Sequence, residues 1–306
     1  MSFRFSNLFK TKSVDEIVRD SEQSTNKLKR VLGPLDVTTI GIGAIIGAGI
    51  FAMVGEAAVG ATSGHPAGPA LIISFVLTAI ACGFAALCYA EFAAMVPISG
   101  SAYSYAYATL GELVAWIIGW DLIIEYAIGN VAVAISWSGY FKELVYNVTG
   151  YQLPVWLCTD FRTFAQKGFD LAHVPQLFGI HIIFNLPAVA IVAALTALLV
   201  IGVKESSRFN TVMVAFKLAI LAIFVGIGLY YFNIDHWTPF APGGWKGIQT
   251  GAAIVFFAYI GFDAVSTVSE ETKNPKRDMP IGIIGSLIIC TLVYIVVTVA
   301  LTGMIP

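Results

Sequence analysis

The sequence predicts an all-α membrane protein. Three observations carry that expectation. Of its 306 residues, 58% are hydrophobic and only 12% charged, where a soluble domain carries about 25% charge, and the mean hydropathy is +0.82. Apolar runs long enough to cross a bilayer, which takes about 20 residues, recur along the chain. Two of those runs, Gly41–Phe51 and Val255–Ala264, are interrupted by glycine, the second also by a carboxylate.

Residues 1–36 form a polar, basic tail with Arg4, Lys10, Lys12, Arg19, Lys27, Lys29 and Arg30. They hold no apolar core followed by a small-residue cleavage site, so the first span is expected to act as its own insertion signal. Pro34, suited to a first helical turn, opens that span. Residues 37–306 form the transmembrane domain, with seven spans at 37–60, 69–95, 112–140, 186–203, 209–231, 247–268 and 280–304. The tail, the segment with Lys204 and Arg208, and the segment with Lys273, Lys276 and Arg277 together hold 12 of the 17 Lys and Arg residues. The opposite loops hold four, Lys142, Arg162, Lys167 and Lys246. That bias sets the N-terminus in the cytosol. Between spans two and three, Pro97–Gly111 carries tyrosines on alternate positions and reads as a short amphipathic piece at the inner surface. The longer connection from Phe141 to Asn185 reads as a loop on the outer surface. Cys82, Cys88 and Cys290 fall in spans and Cys158 in that loop, which implies neither a disulfide framework nor a metal site.

Gly41-Ile42-Gly43-Ala44-Ile45-Ile46-Gly47-Ala48-Gly49-Ile50-Phe51 is the stretch around which the rest is organised. Lipid offers no hydrogen bonds, so a spanning helix must satisfy its own backbone, and glycine works against that. Two readings stand. Gly43-x-x-x-Gly47 has the small-xxx-small spacing of close helix contact. Alternatively, the helix opens at mid-membrane and its freed amides bind an anionic group.

Ionisable residues inside spans cost about 2.5–3.5 kcal/mol on insertion scales and are functional candidates by default. Lys217, in span five among Val214, Ala215, Phe216, Leu218, Ala219 and Ile220, is the strongest. It either snorkels to the cytosolic interface or faces the bundle, where desolvation disfavours its charged form and suits it to proton coupling. Asp121 and Glu125 lie four residues apart, hence on one helix face, as a structural pair or a functional one. Asp263 follows the interruption of span six at Tyr259-Ile260-Gly261-Phe262. Glu91, Glu270 and Glu271 lie near inner span ends and ask for no special role. His65, His173, His181 and His236 all fall in outer segments. No nucleophile–base constellation and no phosphate-cradling loop is present, so the sequence reads as no enzyme.

Interrupted helices at corresponding positions of two repeats point to a transporter's substrate site, and spans one and six stand in that relation. Here the chain resembles the amino acid–polyamine–organocation (APC) superfamily permeases, specifically the cationic amino acid transporter branch with its bacterial members. Gly41–Phe51, Ala67-Gly68-Pro69-Ala70 and Ala86-Leu87-Cys88-Tyr89-Ala90-Glu91-Phe92 carry the resemblance. So do Val96–Tyr103, Gly119-Trp120-Asp121-Leu122 and Glu270-Glu271-Thr272-Lys273-Asn274-Pro275. It extends from about Leu32 to Pro306, the outer loop excepted.

The resemblance implies a LeuT-like inverted-repeat helical bundle working by alternating access, with amino acid uptake coupled to protons. The substrate carboxylate would meet the amides of Gly47, Ala48 and Gly49, where a half-helix N-terminus presents about +0.5 charge and free donors. The α-ammonium would meet carbonyls of Ile42 or Ile45 and of Phe257, Ala258 or Ile260, with Phe257 as an aromatic gate. Lys217 would stand where sodium-coupled relatives hold a sodium ion. Gly43, Glu125, Tyr259 and Asp263 are secondary candidates. The partners implied are an amino acid, a proton and membrane lipid, with no cofactor, metal or nucleic acid, and the location a bacterial inner (cell) membrane. The family carries twelve or more spans. The second repeat is therefore expected to be incomplete, the chain a piece of a longer permease lacking spans eight and ten. A proton-independent amino acid or polyamine exchanger and a non-transporting amino-acid-binding protein are the alternatives.

Overall fold

The computed structural model describes residues 8–23, 28–61, 64–171, 174–201 and 203–305. Arg4 and Lys27 of the basic tail and His173 of the outer loop lie outside the described residues. The chain divides into two compact units, one of Met1–Ile123 with Phe209–Pro306 and one of Ile124–Arg208.

Among the described residues six helical stretches are long and apolar enough to cross a membrane: Pro34–Val59, Gly68–Met95, Glu112–Thr149, Asn210–Tyr230, Gly244–Glu271 and Pro275–Met304. The protein is therefore an all-α integral membrane protein. The sequence reading counts a further span at 186–203. Among the described residues that stretch holds the apolar helical segment Leu186–Leu198, part of the helix Leu186–Ile201.

In the first unit α1, Val14–Gln23, begins with a reciprocal cap. The Glu16 N–H donates to Ser13 Oγ at 3.2 Å, and the Ser13 N–H to Glu16 Oε2 at 3.3 Å. The tail is docked to the chain, with Ile17 buried and the Lys12 N–H donating to Tyr107 O at 3.3 Å. Helix α2, Pro34–Ile45, starts with proline in its first turn and Asp36 Oδ2 accepting the Gly33 N–H at 2.9 Å. After an unwound step, a π turn at Gly49–Met53 leads into α3, Val54–Val59. Helices α4, Leu71–Met95, α5, Ser101–Thr109, and α6, Glu112–Thr149, follow. Pro97–Gly111, read as an amphipathic surface piece, thus contains a helix, and its Ser104, Tyr105 and Ala106 are buried.

Helix α9, Val203–Tyr230, returns to the first unit at Phe209. The last two spans are α10, Gly244–Phe256, continued by 3₁₀ turns at Phe257–Tyr259 and Asp263–Glu271, and α11, Pro275–Met304. Val37, Ile45, Phe75, Tyr259, Met279, Ile283 and Tyr294 form the most buried part of the core, where α2, α4, α10 and α11 meet.

In the second unit α6 runs on past Tyr140, where the sequence placed the end of the span, to Thr149. Asp160 caps the short helix α7, Phe161–Gln166, by accepting the Thr163 N–H at 2.9 Å, and that bond holds its carboxyl below the usual carboxylate range. A two-residue hairpin pairs β1, Gln176–Leu177, with β2, Ile180–His181. Asn185 Oδ1 accepts the Ser138 hydroxyl at 2.6 Å and the Ala188 N–H at 3.1 Å, opening α8, Leu186–Ile201. Burial pushes the Cys158 thiol up from its ordinary pKa.

Candidate functional site

Spans one and six both leave the α-helix at the same place in the fold, and their breaks touch. Ile46 ends α2 with φ −75° and ψ 91°, its N–H donating to Ile42 O at 3.0 Å. Span six turns at Ile260, ψ 132°, and Gly261, φ +113°. A side chain at Gly261 would be strained by that φ and would begin 2.7 Å from the Ala44 carbonyl oxygen. One at Gly49 would run into the Ala258 backbone.

The glycines of span one therefore do different work. Gly41 meets the Ser286 side chain of α11, and Gly43 meets Val214 and Asn210 of α9 at 3.0 and 3.2 Å, measured from the position a Cβ would take. The close-packing reading describes these two and Gly49. Gly47 has nothing within 4 Å of that position, so the break itself borders open space.

Lys217, on α9, donates from Nζ to Gly43 O and to Ile46 O, both at 2.7 Å. The ammonium thus takes up carbonyls that the unwinding of α2 leaves without helical partners, and it is directed at the break, not at an interface. Charge-assisted bonds of this kind are about twice as strong as neutral ones.

Tyr294 was not singled out by the sequence reading. Its hydroxyl lies 2.8 Å from Ile45 O and 2.8 Å from Ala258 O, one carbonyl from each broken span. Its ring stands 5.3 Å from Phe75 and 5.5 Å from Tyr259, and the Tyr259 hydroxyl donates to Phe75 O at 3.2 Å. A signal existed: a phenol amid Leu292, Val293, Ile295 and Val296 must find a hydrogen-bond acceptor inside the protein.

Of the carbonyls assigned to the substrate ammonium, Ile42 O already accepts from Ile46 N–H, and Ile45 O and Ala258 O accept from Tyr294. Each keeps a second lone pair. Ala48 and Gly49 are buried beside the break, while Phe257 and Ile260 are half-buried at either end of the first 3₁₀ turn. Tyr259 is turned into the core. Asp263 is buried at the start of the second 3₁₀ segment. Glu125 belongs to the second unit and is half-buried on α6; Asp121, on the same helix, is exposed.

The family model described as amino acid permease matches residues 32–306. The chain is 48% identical over 299 residues to the branched-chain amino acid permease BcaP of Bacillus subtilis (strain 168), covering 98% of this chain and 60% of that protein. It is also 48% identical over 308 residues to the methylthioribose transporter of the same organism, at the same coverage. To the cationic amino acid transporter 1 of Arabidopsis thaliana it is 35% identical over 306 residues, covering 99% of this chain and 48% of that protein. The chain thus spans about half to three-fifths of the length of these relatives, which are named as permeases and transporters and not as enzymes.

Proposed function

This chain belongs to the amino acid permease family, and on that premise we propose that it carries the solute-holding part of an amino acid permease. In this reading the carrier has the LeuT-like inverted-repeat arrangement, a cytosolic N-terminus and a place in the bacterial cell membrane, and it couples uptake to protons through Lys217. The seven-span division of residues 37–306 belongs to the same reading. The observation that carries it is the Lys217 ammonium bonded to Gly43 O and Ile46 O beside the open space at Gly47.

The amides of Gly47, Ala48 and Gly49 receive the substrate carboxylate. The ammonium takes the second lone pairs of Ile42 or Ile45 and of Ala258, Phe257 or Ile260, with the Phe257 ring over it. Gly43 keeps the approach to α9, Tyr259 the core wall, and Glu125 and Asp263 are secondary. A proton on Lys217 favours the bonded break; its loss removes the charge that strengthens both carbonyl bonds and loosens span one, which links protonation to solute release.

Uptake of radiolabelled alanine or leucine into proteoliposomes tests the reading. An inward proton gradient is expected to drive it, and Lys217→Met to abolish the dependence on the gradient. Gradient-independent uptake that needs preloaded amino acid would replace symport by exchange, and binding without flux would replace transport by sensing. The similarity to a methylthioribose transporter favours one further reading, a neutral thiosugar as solute. Such a molecule has no carboxylate for the glycine amides, so competition between alanine and methylthioribose separates the two.

A further inference from the structure

The inner half of span six, Asp263–Glu271, is a 3₁₀ segment, in which residues three apart eclipse. Asp263, Ser266 and Ser269 therefore share a side, continued by Thr272, and all four are buried. Their hydroxyls are spent locally: Ser266 Oγ on Asp263 O and Ser269 Oγ on Ser266 O, each at 2.6 Å, and Thr272 Oγ1 on Val268 O at 2.9 Å. The segment is also tied by backbone to the entry of span one. The N–H groups of Val31 and Leu32 donate to Glu271 O at 2.8 and 3.0 Å, and the Lys273 N–H to Leu32 O at 2.9 Å. This short parallel ladder joins the inner halves of spans one and six.

Against that joined pair stands the elbow that starts α5. Glu270 Oε1 accepts the Ser99 N–H at 3.1 Å. Ser101, the first residue of α5, has φ +49°, a left-handed conformation that costs a serine. Ser99 Oγ, Ser101 Oγ and Tyr105 OH are buried without a hydrogen-bond partner. Tyr105 OH faces the Ser266 hydroxyl without reaching bonding geometry. Ser101 and Tyr105, 2% and 5% exposed, lie one turn apart on one face of α5. Buried hydroxyls left unbonded are costly and call for water or a change of partner. A strained turn, several unmade bonds and one interhelix carboxylate bond meet at a single contact.

We propose that Glu270 positions the inner gate. Its carboxylate is the releasable bond between the α5 elbow and the joined inner halves of spans one and six. The unpartnered hydroxyls around it take up water when that bond opens. The proposal deepens the transport reading, since alternating access needs a cytosolic contact that is made and broken, but it is tested without substrate.

Amide hydrogen exchange on the purified chain in nanodiscs reads the contact. Glu270→Ala is expected to speed exchange over Ser99–Tyr105 by about tenfold or more, leaving the ladder amides of Leu32 and Lys273 and those of α4 and α11 unchanged. Glu270→Gln keeps a side-chain oxygen for the Ser99 N–H and stays within about threefold of the unmodified chain. No change at the elbow, a uniform rise through the whole unit, or Gln behaving as Ala overturns the proposal. Ser101→Gly, which relieves the positive φ, gives a reading independent of Glu270: slower elbow exchange is expected, and unchanged or faster exchange overturns it. Absence of amino acid uptake would sink the transport reading and leave these measurements untouched.

Discussion

The Lys217 ammonium donates at 2.7 Å to the carbonyl of Ile46, the residue at which span one leaves the helix. A lysine at membrane depth thus completes a backbone that glycine has opened. Lys217→Met removes the donor to Ile46 O and Gly43 O together and is expected to destabilise the chain by about 2–6 kcal/mol, at about 1–3 kcal/mol for each buried acceptor left unbonded. Thermal unfolding in detergent measures it, and an unchanged midpoint would mean that water replaces the ammonium at no cost.

Tyr294→Phe keeps the aromatic contacts with Phe75 and Tyr259 and deletes the hydroxyl shared by Ile45 O and Ala258 O. A loss of about 1–2 kcal/mol is expected, together with faster amide exchange at both breaks. Faster exchange at one break only would mean that the hydroxyl serves a single carbonyl.

Gly47→Ala and Gly261→Ala separate site from scaffold. Gly47 faces open space, so alanine there is expected to leave the unfolding midpoint within about 1 kcal/mol while weakening alanine binding at least tenfold, measured by calorimetry. Gly261 has φ +113° and abuts Ala44, so alanine there is expected to cost about 2 kcal/mol or more through strain and contact. Equal effects of the two on stability would contradict the assignment.

Asp160 makes a pH prediction in the second unit. Its folded pKa is lowered by the Thr163 bond, so its stabilisation is complete above the ordinary carboxylate pKa of about 3.9 and fades as pH falls through the folded value. The cap is exposed, which limits it to about 0.5–1 kcal/mol. Exchange at the Thr163 amide is expected to quicken below about pH 4, once corrected for intrinsic rates. Asp160→Asn, a good cap without charge, should remove that pH dependence.

The membrane class and most span positions were legible because burial in lipid demands apolar length, which composition alone reveals. The breaks were legible too, through Gly47, Gly49 and Gly261, since glycine in a span lowers helix stability wherever it falls. What glycine does at each position was not. Gly41, Gly43 and Gly49 admit neighbours, a fact that depends on Ser286, Val214 and Ala258, more than a hundred residues away in each case. Tyr294 escaped because a single phenol in an apolar run gives no spacing pattern. Likewise the continuation of α6 to Thr149 was hidden by its polar sequence, Lys142-Glu143 and Asn147, which a helix tolerates as readily as a loop does.

The bond from Tyr294 to Ile45 joins residues 249 apart. At a synthesis rate of roughly 5–20 residues per second, the break in span one waits about 12–50 s for its second anchor to be made. During that interval the Ile45 carbonyl lacks its phenol partner, and hydrocarbon supplies none. The closing of the span-one break is therefore ordered by the synthesis of α11. Span one needs a wet or protein-lined shelter during biogenesis, and truncations ahead of Tyr294 should be held at the insertion machinery or degraded instead of settling in the bilayer.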